Sequence, residues 1–132
     1  MTKILLIDDE KGIRDTIHLS LVSAGYDVEL AEHGEEGLRI LKAQDIDLVI
    51  CDILMPGKEG IETIMEIRNS GSDVAIIAMS GGGMYLRESS TLDVVLDSAE
   101  WFGANYTLRK PFRPKELLEL LDKALASKNS AE

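Results

Sequence analysis

The chain has 132 residues, 24 acidic against 14 basic side chains and a formal charge of −10, with 45% hydrophobic and 29% charged residues. That is the composition of one soluble domain, able to bury about two-thirds of its unfolded surface without disulfides or a structural metal. Its single cysteine, Cys51, permits no internal disulfide, and no apolar run has leader or membrane length, so a cytoplasmic domain is expected; the charge repels phosphate backbones, so nucleic-acid binding is not.

Short apolar runs alternate with segments of helical period, the pattern of a parallel sheet covered by helices on both faces. The first run covers Lys3 to Ile7. Ile13, Ile17 and Leu21 then repeat every four residues, with Gly25 placed as a helix C-cap. A second run at 28–31 precedes a shorter helix marked by Leu38 and Leu41, and a third run at 48–51 precedes a helix traced by Ile61, Ile64, Met65 and Arg68. The fourth run, 74–79, is followed by a fourth helix with apolar residues at Leu92, Val95, Leu96 and Ala99. A weak run at 106–108 leads to a last helix from Pro114 through Leu117, Leu118, Leu121 and Leu125. Five β-α units predict an α/β, doubly wound, five-stranded parallel sheet of flavodoxin-like order 2-1-3-4-5 with helices on both faces. Residues 1–126 form the domain, and the polar tail 127–132 is expected to fray.

In open α/β sheets, ligands sit at the carboxyl ends of the strands where the winding direction changes, here between the first and third strands. Asp8 and Asp9 close the first strand and Asp52 closes the third. Three convergent carboxylates repel one another, so a proton or a cation must compensate, and an oxygen-only donor set suits Mg²⁺ or Mn²⁺. The fourth strand delivers Ser80 and the fifth Lys110 to the same edge. A lysine, a hydroxyl and a metal can balance three phosphoryl oxygens while one carboxylate attacks phosphorus. Each residue also has a plainer reading: Asp8 or Asp9 as a helix cap, Ser80 as a turn residue, Lys110 as a surface lysine. Their coincidence at one sheet edge favours a phosphoryl-transfer site.

These residues stand in Lys3-Ile-Leu-Leu-Ile-Asp-Asp-Glu10, in Asp52-Ile-Leu-Met-Pro56 with Gly60 after it, in Ser80-Gly81 and in Lys110-Pro111-Phe112. In this order along the whole chain, the segments resemble the receiver domain of two-component response regulators, of the single-domain, chemotaxis-regulator type. The resemblance implies that Asp52 accepts a phosphoryl group from a phosphohistidine of a histidine kinase or phosphotransfer protein. It implies that Asp9, Asp52 and the backbone carbonyl of Leu54 ligate Mg²⁺ directly, with Asp8 acting through a bound water. Ser80 would turn its hydroxyl toward the phosphate, Lys110 would pair with it, and the Lys110-Pro111 bond would be cis. The chain would be a self-phosphorylating switch rather than a turnover enzyme, either a terminal regulator or a phosphorelay intermediate.

Three features depart from the family pattern. Thr107 stands where an aromatic switch residue is usual, and its neighbour Tyr106 points to the opposite face by strand alternation, so switching is expected to work through Ser80 and loop movement. Leu54 and Gly82 cannot orient a hydrolytic water, which predicts a long-lived acyl phosphate. The connection after Ser80 is long, and residues 81–91, with Met84, Tyr85 and Leu86, are a candidate grip for a downstream target, together with the face of the fourth helix, fifth strand and last helix. Outside the site, Cys51 and the pair Trp101 and Phe102 read as packing residues, His18 as a solvated helix residue and His33 as part of a turn.

Three other functions compete. A flavin carrier of the same fold needs a phosphate-cradling loop where this chain has Asp8-Asp-Glu-Lys-Gly12. An aspartyl phosphatase places its general acid where this chain has Leu54. A degenerate receiver that only binds partners has no need of three repelling carboxylates.

Overall fold

β1 (Lys3–Ile7) is followed by α1 (Lys11–Ser23), β2 (Asp27–Ala31), α2 (Gly34–Ala43), β3 (Leu48–Asp52), α3 (Gly60–Asn69), β4 (Ala75–Gly81), β5 (Tyr106–Lys110) and α4 (Pro114–Ser130). The structure, a computed structural model, describes residues 2–53, 60–81, 99, 100 and 102–130, with side chains to 126. All strand pairs are parallel and the order is β2-β1-β3-β4-β5, as the alternating pattern predicts. Among the described residues no helix is long and apolar enough to cross a membrane.

The sequence encodes this sheet through continuous rather than alternating hydrophobicity. β3 is buried along its whole length, and β1 from its second residue on, because helices cover both faces of a parallel sheet. Alternate residues then divide two cores. Leu5, Ile7, Val49, Cys51, Ile76 and Ala78 face Ile64 and Ile67 of α3, with Leu38 and Leu41 of α2 packed at the edge. Ile4, Leu6, Leu48, Ile50, Ile77 and Met79 face Ile17 and Leu21 of α1 and Leu117, Leu121 and Ala124 of α4.

The boundaries follow local chemistry. Gly25 closes α1 at φ +95°, a left-handed conformation that favours glycine, and its N–H donates to the Val22 carbonyl at 3.0 Å. His33 is more than a turn residue: its Nδ1 accepts from the Glu36 N–H at 3.3 Å and caps α2. The helical backbone of α4 continues to Ser130, past the start of the expected tail at 127, since adding residues to a formed helix costs far less than nucleating one. Of the helix expected over 92–99, only Ala99 lies within the described residues; it and Glu100 are helical.

Candidate functional site

The strand order puts β1 beside β3, with β2 on one side and β4 and β5 on the other, so the winding direction reverses between them. Asp52 is the last residue of β3, while Asp8 and Asp9 follow the last residue of β1. One carboxylate oxygen from each of Asp8, Asp9 and Asp52 lies within 4.8 Å of the others. Asp8 is 0% and Asp52 3% exposed, whereas Asp9 faces solvent.

Lys110, at the end of β5, closes the cluster. Its Nζ donates to Asp8 Oδ2 at 3.0 Å and to Asp52 Oδ2 at 3.2 Å, with the lysine side chain 11% exposed. Burial pulls the Lys110 ammonium toward the neutral form, but Asp52 and Asp8 outweigh it, so its pKa stands above the ordinary lysine value. Ser80 lies on β4 between these groups in chain order, fully buried, and its hydroxyl has no hydrogen-bond partner among the described residues. An unpartnered buried hydroxyl is costly, and such groups recur where a ligand completes them.

The loops around the cluster are held by short-range bonds. Asp8 Oδ1 accepts from the Glu10 N–H at 2.9 Å, an Asx turn that carries the chain from β1 into α1; the N-cap residue itself is Glu10, and its side chain makes no capping bond. The plainer reading of Asp8 as a local turn former is thus true of one of its oxygens, while the other serves Lys110. The first residue of α3, Gly60, lies against the Asp52 carbonyl and the Ile53 Cα so closely that a Cβ would collide with both. Glycine is required there because the helix start must reach the backbone of the strand that carries Asp52. Cys51 is fully buried, and burial, with Asp52 and Asp8 nearby, drives its thiol far above the usual range, as expected of a core residue.

Chemically, the pocket is a set of hard oxygen donors carrying three carboxylates against one ammonium. Such a set fits a divalent cation with oxygen preference, and the exposed Asp9 leaves water access to it. The structure brings together Asp8, Asp9, Asp52 and Lys110, with Ser80 on the neighbouring strand. The Leu54 carbonyl, Gly82, the segment 82–91 and Trp101 lie outside the described residues. The Lys110-Pro111 bond is cis, as the resemblance implies. Tyr106 packs with the α1 and α4 side of the sheet, whereas Thr107, paired with Ala78, faces the other side and donates to Glu100 Oε1 at 3.4 Å. Phe102 lies at the rim, 39% exposed.

One residue was overlooked in the sequence. Arg14 is buried on α1, and its Nη1 donates to the Asp8 carbonyl at 2.8 Å. The signal was legible, since Arg14 falls on the same helical stripe as Ile17 and Leu21, a core position for an arginine.

Known proteins are similar to this chain in sequence and fold. The model of the response regulator receiver domain family matches residues 4–122. Response regulator MprA of Mycolicibacterium vanbaalenii is 33% identical over 116 residues, which cover 88% of this chain and 47% of the relative. The chain thus spans about half the length of the curated relatives it matches. Among solved structures, a response regulator receiver domain protein from Clostridium thermocellum superposes with a TM-score of 0.86 at 33% identity, covering 100% of both chains. A CheY-like receiver domain protein from Methanospirillum hungatei gives a TM-score of 0.85 at 27% identity, covering 100% of this chain and 99% of that one. The sheet order, the acidic cluster at its carboxyl edge and these matches lead to one conclusion: the chain belongs to the response regulator receiver domain family.

Proposed function

We propose that the chain is a phosphorylation switch whose acceptor is Asp52. A carboxylate oxygen of Asp52 attacks the phosphorus of a phosphohistidine on a histidine kinase or phosphotransfer protein; the P–N bond breaks, an acyl phosphate forms, and the leaving imidazole takes up a proton. The observation that carries this reading is Lys110 Nζ shared between Asp8 and Asp52, with the buried hydroxyl of Ser80 on the neighbouring strand unpartnered among the described residues. Lys110 gives up one carboxylate contact and pairs with a phosphoryl oxygen, and the Ser80 hydroxyl donates to another. Asp8, Asp9 and Asp52, with the Leu54 carbonyl, would hold Mg²⁺, or Mn²⁺ in its place. The cation supplies the positive charge that lets a phosphoryl group approach three carboxylates.

In this reading the chain catalyses its own modification and is not a turnover enzyme. It works in the cytoplasm, between a histidine kinase and a downstream target protein, as terminal regulator or relay intermediate. With Thr107 in the place of an aromatic switch, the phosphorylated state is read through Ser80 and the residues that follow it, and Leu54 and Gly82 give the acyl phosphate a long life. Incubation with acetyl phosphate and Mg²⁺, followed by intact mass, tests the core of the proposal. A gain of one phosphoryl group is expected in the wild type and in neither Asp52→Asn nor chelator-treated protein. Modification that persists in Asp52→Asn would assign the acceptor elsewhere.

A further inference from the structure

Arg14 is 7% exposed, a rare position for an arginine without a stated task. It uses little of its donor capacity: Nη1 donates to the Asp8 carbonyl at 2.8 Å, and Nη2 reaches Glu32 Oε1 at 3.5 Å on the loop after β2. An apolar side chain would fill this stretch of α1 without desolvating a guanidinium, so packing alone does not account for it.

The bonded carbonyl is well placed. Asp8 is fixed at each of its other polar groups: its N–H donates to the Ala31 carbonyl at 3.1 Å, Oδ1 accepts from Glu10 and Oδ2 from Lys110. The Asp8 carbonyl and the Asp9 nitrogen belong to one planar peptide unit. Holding the oxygen therefore fixes the direction in which the chain enters Asp9. The Asp9 side chain is exposed and has no hydrogen bond or ion pair among the described residues, yet its carboxylate comes within 4.8 Å of those of Asp8 and Asp52. Three like charges at that distance repel one another, so the direction in which the backbone presents the exposed Asp9 bears on whether the three stay together.

We propose that Arg14 is a positioning residue for the cation in the acidic pocket, holding the Asp8–Asp9 peptide so that Asp9 stays aimed at Asp8 and Asp52. The inference rests on the reading of those three aspartates as metal ligands. Groups that orient metal ligands set affinity more than they set the chemistry that follows.

The test titrates Mg²⁺ alone, by calorimetry, into wild type, Arg14→Gln, Arg14→Lys and Arg68→Gln, with the melting temperature of each recorded. Arg68 lies at the opposite edge of the sheet and serves as the control for lost stability. Arg14→Gln is expected to weaken Mg²⁺ about 10-fold and Arg14→Lys, which keeps one donor, about 3-fold. Arg68→Gln is expected to melt earlier with Mg²⁺ affinity unchanged. In the acetyl phosphate reaction, Arg14→Gln should need more Mg²⁺ for the half-maximal rate and match the wild type at saturation. Wild-type affinity in Arg14→Gln, or an equal loss in Arg68→Gln, overturns the role of Arg14 and leaves the pocket standing. Absence of Mg²⁺ binding in the wild type overturns the pocket reading as well. Should Arg14→Gln not fold, Arg14→Lys decides alone, and unchanged affinity there overturns the proposal.

Discussion

The two edges of the sheet treat charge in opposite ways. At the amino edge, Arg68 from the last turn of α3 engages all five N–H donors: Nε with the Gly103 carbonyl at 3.0 Å, Nη1 with Ser72 and Val74 carbonyls at 3.1 and 2.7 Å, and Nη2 with Gly103 and Asn105 Oδ1 at 2.8 and 3.0 Å. Asn105 Oδ1 also accepts from Ile76 N–H at 2.8 Å, so one guanidinium ties α3 to the starts of β4 and β5. At the carboxyl edge, two of three clustered carboxylates share one ammonium, and the buried Ser80 hydroxyl has no partner among the described residues. A satisfied network adds stability, whereas an unsatisfied one is retained where a ligand completes it. In the proposed reading, the amino edge serves folding and the carboxyl edge chemistry.

The sharpest way to break this division is Asp52→Asn. It should abolish phosphoryl acceptance, measured by intact mass, yet leave the cation-free protein as stable as the wild type or more so by up to about 1 kcal/mol, because one of three repelling charges is gone. A substantial loss of stability would mean that the acidic edge also holds the fold. The mirror experiment is Arg68→Ala, expected to cost about 2 kcal/mol in chemical denaturation, since it removes a charged donor from the Val74 carbonyl and from the half-buried Ser72 and Gly103 carbonyls, without touching phosphoryl acceptance at saturating Mg²⁺. Gly60→Ala joins the two properties: its Cβ would press on the backbone of Asp52 and Ile53. It should lower stability by about 2 kcal/mol and also slow phosphorylation, because the strand end carrying the proposed acceptor must shift.

Smaller effects sharpen the picture. Mg²⁺ at ten times its dissociation constant should stabilise the wild type by about 1.4 kcal/mol in a thermal or denaturant melt, an increment that chelator or Asp9→Asn removes. The smallest effect is in alkali. The raised pKa of Lys110 means that its ion pairs contribute fully below the ordinary lysine value of 10.5 and are lost as pH rises through the higher folded value. The stability difference between wild type and Lys110→Met should therefore narrow only above pH 10.5, a profile that denaturant melts across pH can follow.

The particular residues explain why so much was readable in advance. Ile4 to Ile7 and Leu48 to Cys51 are apolar at every position, which a strand covered on both faces requires, so the parallel sheet followed directly. Asp8, Asp9, Asp52, Ser80 and Lys110 each end or lie near the end of such a run, and strand polarity alone sends them to one edge. Arg14, Arg68 and His33 were harder to assign, because their tasks are bonds to backbone atoms whose positions depend on how the chain turns. A carbonyl oxygen has no sequence signature.

The sequence by itself determined the strand order, the two helical layers and the acidic character of the carboxyl edge, because hydrophobic period and residue chemistry are properties of the chain. Only the tertiary structure decided that Lys110 bridges Asp8 and Asp52 across 102 and 58 positions, that Ser80 is buried without a partner among the described residues, and that Gly60 must lack a side chain. Those facts depend on distances of a few ångströms between separate strands and helices, and such distances are fixed by packing and not by the local sequence.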